Sequence, residues 1–112
     1  MAFRHAPVML EEAMKYLNPK KSGRYIDATL GFGGHSEKIL EAVGSLGLLI
    51  GIDRDEEALS HSKERLGKFK DAFIGFHDRF SGVSGILEGL GIERVDGIIA
   101  DFGVSSPQFD EP

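Results

Sequence analysis

The chain has no cysteine, which excludes disulfides, thiol nucleophiles and cysteine-ligated zinc. Nor has it a run of about eighteen apolar residues, so no membrane-spanning helix is expected. Met1 to Leu10 is interrupted by Arg4, His5 and Pro7, where a secretion signal would need an unbroken apolar stretch. These absences point to a cytoplasmic protein. The four histidines, His5, His35, His61 and His77, show no paired ligand spacing, so no metal site is expected. Basic residues are outnumbered 13 to 18, a net charge of −5, which speaks against a strong phosphate-binding surface within these residues. Lys15, Lys20, Lys21 and Arg24 form the nearest approach to a basic patch, and a solvated helix end accounts for them. No repeat, low-complexity tract or glycine linker interrupts the chain.

What is present is the composition of an ordinary globular domain, 41% hydrophobic and 28% charged, with 15 glycines scattered at the ends of elements. A single domain over residues 1–112 is expected. Val8, Ala13, Met14 and Leu17 follow Pro7 at helical spacing, giving a helix from Pro7 to Leu17 that Asn18-Pro19 ends. Strands are expected at Arg24–Ala28, Leu48–Ile52, Ala72–Phe76 and Val95–Ala100. Between them lie helices marked by Ile39, Leu40 and Val43, closed by Gly44, then by Ala58, Leu59 and Leu66, and then by Val83, Ile86, Leu87 and Leu90. The order is α, then β-α three times, then β: an α/β, Rossmann-like parallel sheet with flanking helices. Such sheets bind ligands beyond the carboxyl ends of their strands, near the point where strand order reverses.

The first strand end reads Asp27-Ala28-Thr29-Leu30-Gly31-Phe32-Gly33-Gly34-His35-Ser36. Its glycines permit a sharp turn and close approach of a ligand to the backbone, though a plain strand-to-helix turn also uses glycine. The dinucleotide fingerprint would place a third glycine at position 36, where Ser36 stands. Asp27, four residues ahead of Gly31, makes D-x-T-x-G-x-G, which resembles the first motif of S-adenosylmethionine-dependent methyltransferases. A carboxylate there suits the ammonium and sulfonium charges of that cofactor. At the second end Asp53, 22 residues beyond Gly31, can accept both hydroxyls of a ribose, while Asp53 or Asp55 could equally cap a helix. At the third end Asp78 and Phe80 could accept from and stack on an adenine, or serve as a turn residue and a core plug. The fourth end, Asp101 to Asp110, places a charged group and Ser105-Ser106-Pro107 at the strand terminus nearest the reversal point. Amino-methylating enzymes often carry a polar residue and prolines there, although Ser-Ser-Pro is also a common turn.

Four segments together strongly resemble the ribosomal small-subunit RNA methyltransferase H family, also called MraW. They are H-x-P-V-x-L-E-E from His5, Y-I-D-A-T-x-G-x-G-G-H-S from Tyr25 to Ser36, I-D-R-D from Ile52 to Asp55, and V-D-G-I-x-x-D-x-G-V-S-S-P-Q from Val95 to Gln108. The resemblance covers essentially the whole chain; Leu30 and Phe32 are its mild departures. It implies methyl transfer from S-adenosylmethionine to the exocyclic amine of a cytidine in small-subunit ribosomal RNA. It further implies cofactor contacts at Gly33, Gly34, His35, Asp53, Phe80, Asp101 and Gln108, to which the strand-end reading adds Asp27 and Gly31. Catalytic residues are not assigned, but Ser106 is a candidate for drawing the poorly nucleophilic amine toward tetrahedral geometry.

The family pattern implies a longer protein. Residues 1–112 would be its cofactor-binding part, with the remaining strands and an inserted RNA-recognition domain absent, and this piece alone is expected to be inactive. The fourth strand would then have an unpaired edge, inviting a homodimer. Two alternatives stay open: a non-catalytic cofactor-binding or self-associating module, and an NAD-dependent dehydrogenase fragment, against which Asp27 and the Ser-Ser-Pro-Gln segment speak.

Overall fold

The computed structural model describes residue 12, residues 14–28, residue 30 and residues 33–100, together with the backbone of 103–105. It shows β1 (Arg24–Asp27), α1 (Gly34–Val43), β2 (Leu48–Asp53), α2 (Glu56–Leu66), β3 (Phe73–His77), α3 (Val83–Leu90), β4 (Gly97–Ala100) and β5 (Gly103–Ser105). Short 3-10 turns, Gly67–Ala72 and Phe80–Gly82, lead into β3 and α3. Residues 14–17 are helical, and the Asn18 N–H closes on Met14 O at 2.8 Å as Asn18 turns to a positive φ of 47°. The expected stop at Asn18 is therefore observed, whereas the start at Pro7 lies outside the described residues.

The sheet runs β3-β2-β1-β4-β5, with the first four strands parallel. Chain direction across the sheet explains the layering. From β1 to β3 the strands advance one way, and right-handed crossovers set α1 and α2 on one face; the return to β4 reverses the advance and puts α3 on the other. Strand alternation supplies the two cores. Tyr25, Leu49 and Ile99 pack with Leu30, Ile39, Leu40, Val43, Leu59 and Leu66 beneath α1 and α2. Ile26, Ile50 and Ile52 face the other way, toward Val83, Ile86 and Leu87 of α3. Each such aliphatic side chain, fully buried, contributes about 1.5–3 kcal/mol.

Two expectations change. The third and fourth strands are Phe73–His77 and Gly97–Ala100. Val95 and Asp96 precede the latter because the Asp96 carboxylate accepts the Arg24 N–H at 2.9 Å and so closes the entry to β1. More consequentially, the outer edge of β4 is paired. β5 lies antiparallel beside it, with Ile98 opposite Ser105 and Ala100 opposite Gly103. The chain doubles back to satisfy the β4 backbone, and the open edge invoked for a homodimer is covered.

Candidate functional site

The order β3-β2-β1-β4 places the reversal between β1 and β4, so the carboxyl ends of β1 and β4 border the crevice where doubly wound sheets hold ligands. Register brings the strand ends side by side: Asp27 lies opposite Gly51 and Ile99, and Asp53 opposite His77. The Ala28 N–H continues the ladder to Ile99 O at 2.8 Å before the chain leaves the sheet.

The turn after β1 closes on glycine. Gly33 has φ 92°, in the left-handed region, and its N–H bonds Leu30 O at 2.8 Å. The aliphatic stem of Arg65 and the side chain of Leu66 pack over it. No side chain caps α1 among the described hydrogen bonds, and a Cβ on Gly34 would meet open space. The backbone at this helix start is thus approachable, as a phosphate- or nucleoside-binding turn requires. His35 is half-buried in the first turn.

Asp27 is placed otherwise than a ligand-facing carboxylate. It is fully buried, and Ser36 Oγ, also fully buried, donates to its Oδ2 at 2.8 Å. The sequence alone assigns no role to Ser36, although it stands at the third glycine position of the dinucleotide fingerprint, where helix and strand pack closely. A hydroxyl buried there needs a partner, and Asp27 supplies one.

Asp53, half-buried at the end of β2, accepts the Asp55 N–H on Oδ1 at 2.9 Å. Asp55 is the cap of α2, accepting the Glu57 N–H at 2.9 Å. The two roles weighed for this pair are therefore divided: capping falls to Asp55, and Asp53 stands at the strand end. Beside it the β3 end is tied in by Asp78 N–H to Asp53 O at 3.0 Å and by His77 Nε2 to Arg54 O at 2.9 Å. Asp78 is used within its own turn, accepting the Arg79 N–H at 2.7 Å. Phe80 is 44% exposed, which rules out the core-plug role and leaves its ring on the surface near the strand ends. Gly31, Asp101, Gln108, Ser106 and Pro107 lie outside the described residues.

A charged hub joins the helices behind the turn. Glu37 in the first turn of α1 accepts from Lys68 at 2.8 Å and from Arg65 Nη2 at 2.6 Å. The Lys68 ammonium, followed by the Arg65 guanidinium, holds the Glu37 carboxyl below the usual carboxylate range. Among the described residues no group of three or more His, Asp or Glu could hold a metal ion, and no helix is long and apolar enough to cross a membrane.

Strand order, parallel pairing and the glycine turn give a Rossmann-like α/β fold, the fold of class I methyltransferases. Solved structures share it: a putative rRNA methylase from Clostridium thermocellum (TM-score 0.72, 18% identity, 88% of this chain and 52% of that one) and an O-methyltransferase from Thermotoga maritima (TM-score 0.68, 22% identity, 89% and 36%). The family is shown by sequence. The model of the MraW methylase family matches residues 2–112, and the chain belongs to that family. Proteins named ribosomal RNA small subunit methyltransferase H are 52% identical over 108 residues in Halothermothrix orenii and 50% identical over 109 in Caldicellulosiruptor bescii. This chain matches 96% and 97% of its own length to them and spans 34% and 35% of theirs.

Proposed function

We propose that these residues are the cofactor-holding part of an enzyme that moves a methyl group from S-adenosylmethionine to the exocyclic amine of a cytidine in small-subunit ribosomal RNA, in the cytoplasm. Family membership and the names of the relatives support the reaction class. One structural observation carries the site: Asp53 and the glycine turn stand on neighbouring parallel strands at the rim beside the sheet's reversal point. The residues fit the cofactor there. Gly34 leaves open space over the start of α1, and Phe80 offers an exposed ring near the end of β3.

In this reading Gly31, Gly33, Gly34 and His35 line the cofactor along the turn, Asp53 accepts the ribose hydroxyls, and Phe80 lies against the adenine. The family resemblance assigns Asp101 and Gln108 to the donor end of the cofactor and makes Ser106 a candidate for the incoming amine. Bound there, the cofactor supplies an electrophilic methyl group on a sulfonium. The chain's own contribution is to orient that group and to exclude water around it. Residues that recognise RNA belong to further parts of the longer proteins, in keeping with the net charge of −5 here.

Calorimetric titration with S-adenosylmethionine tests the site. Wild-type chain is expected to bind it and not NAD, and Asp53→Ala to weaken binding about tenfold or more, ~1.4 kcal/mol. Transfer of labelled methyl groups to small-subunit RNA, followed by nucleoside analysis, tests the reaction in a full-length family member carrying this segment. The 112 residues alone are expected to transfer negligibly. Binding of NAD in preference to S-adenosylmethionine would overturn the assignment.

A further inference from the structure

We propose that Ser36 is a positioning residue for the cofactor turn, acting through its buried hydrogen bond to Asp27; the proposal rests on the reading above that this turn holds the cofactor. Asp27 is the last residue of β1 and Ser36 the third of α1. The turn runs between them, so the 2.8 Å bond from Ser36 Oγ to Asp27 Oδ2 clasps its two ends.

Both side chains are fully buried, and a buried carboxylate is tolerable only while donors surround it. The clasp also stands in for something α1 lacks. Its cap residue is Gly33, which has no side chain; the bond from Ser36 is the buried side-chain tether of that first turn, whereas the bonds of Glu37 to Arg65 and Lys68 lie at the exposed surface. Farther along, Ile39, Leu40 and Val43 anchor the helix in the core. Loss of the Ser36 hydroxyl therefore frees the first turn of α1, where Gly34 and His35 stand, more than it frees the helix as a whole. Asp27 thereby serves the cofactor from beneath the turn and not by contact.

The test compares wild type, Ser36→Ala and Ser36→Thr, each shown to be folded by circular dichroism at 25 °C. Ser36→Ala is expected to weaken S-adenosylmethionine binding about tenfold, and Ser36→Thr, which keeps the hydroxyl, to restore it to within about threefold. Amide exchange should quicken at residues 34–37 in Ser36→Ala and remain unchanged in α3. Should Ser36→Ala lose its fold, Ser36→Cys carries the same comparison, having nearly the same volume and a weak donor.

Unchanged affinity in Ser36→Ala, or failure of Ser36→Thr to bind better than Ser36→Ala, overturns the proposal. If wild type binds no S-adenosylmethionine, the cofactor reading fails by itself. The clasp is then judged on amide exchange, and equal exchange at residues 34–37 in wild type and Ser36→Ala refutes it.

Discussion

Gly51→Ala probes how tightly the sheet is coupled to the turn that follows β1. Gly51 lies in β2 between Asp27 of β1 and Gly75 of β3. A Cβ built on it would come within 2.8 Å of Leu30 Cδ1 and 2.9 Å of Phe73 Cε1. Both are closer than carbon atoms tolerate, and Leu30 is 2% exposed with little room to retreat. Overpacking of this kind costs about 1–3 kcal/mol. Loss of glycine's freedom in the unfolded chain returns about 0.4–1 kcal/mol, leaving a net destabilisation of about 1–2 kcal/mol. For a domain of this size that lowers the melting temperature by about 4–8 °C.

Because the Leu30 carbonyl also accepts the Gly33 N–H, displacement of Leu30 should pass to the turn and weaken S-adenosylmethionine binding as well. Thermal melts followed by circular dichroism, with Gly85→Ala and Gly89→Ala as controls, provide the assay. Those two α3 glycines have nothing within 4 Å of an added Cβ, so each control should gain about 0.5–1 kcal/mol. If Gly51→Ala melts at or above wild type, the close packing of Leu30 over β2 is wrong.

Gly33→Ala must place a Cβ at φ 92° and against Arg65 Cδ at 3.4 Å; urea titration should show a loss of about 1–2 kcal/mol. Glu37→Gln should alter the acid limb of the stability profile: the folded carboxyl titrates below its ordinary value, so its contribution is present above pH 4.5 and lost as pH falls through the lower, folded value. The mutant should therefore lose less stability in that acid window, and about 0.5 M salt should shrink the difference between the two proteins. Phe80→Ala, at an exposed position, should change stability by less than about 0.5 kcal/mol while weakening cofactor binding severalfold in calorimetry. Tyr25 predicts an alkaline effect: burial raises its phenol above the ordinary value of 10.0, so stability should decline as pH rises past 10, and Tyr25→Phe should flatten that limb.

The sequence by itself determined the alternation of strands and helices, because local periodicity encodes it. Leu48 to Ile52 is an unbroken apolar run, Ile39, Leu40 and Val43 share one helical face, and Asn18 and Gly44 stop helices by chemistry that reaches only a few residues. The strand ends were legible for the same reason, and Asp53 stands out as a candidate by its place at the end of the second strand and its spacing from Gly31. Tertiary structure decided what depends on distant partners. The hydrogen bond between Ser36 and Asp27 turns a carboxylate that looked ligand-facing into a buried anchor, and no local pattern distinguishes the two. Likewise, capping by Asp55 and not Asp53 depends on which carboxylate reaches the Glu57 N–H. The pairing of β5 against β4 arises because the β4 edge must be hydrogen-bonded, a demand that exists only once the sheet has assembled.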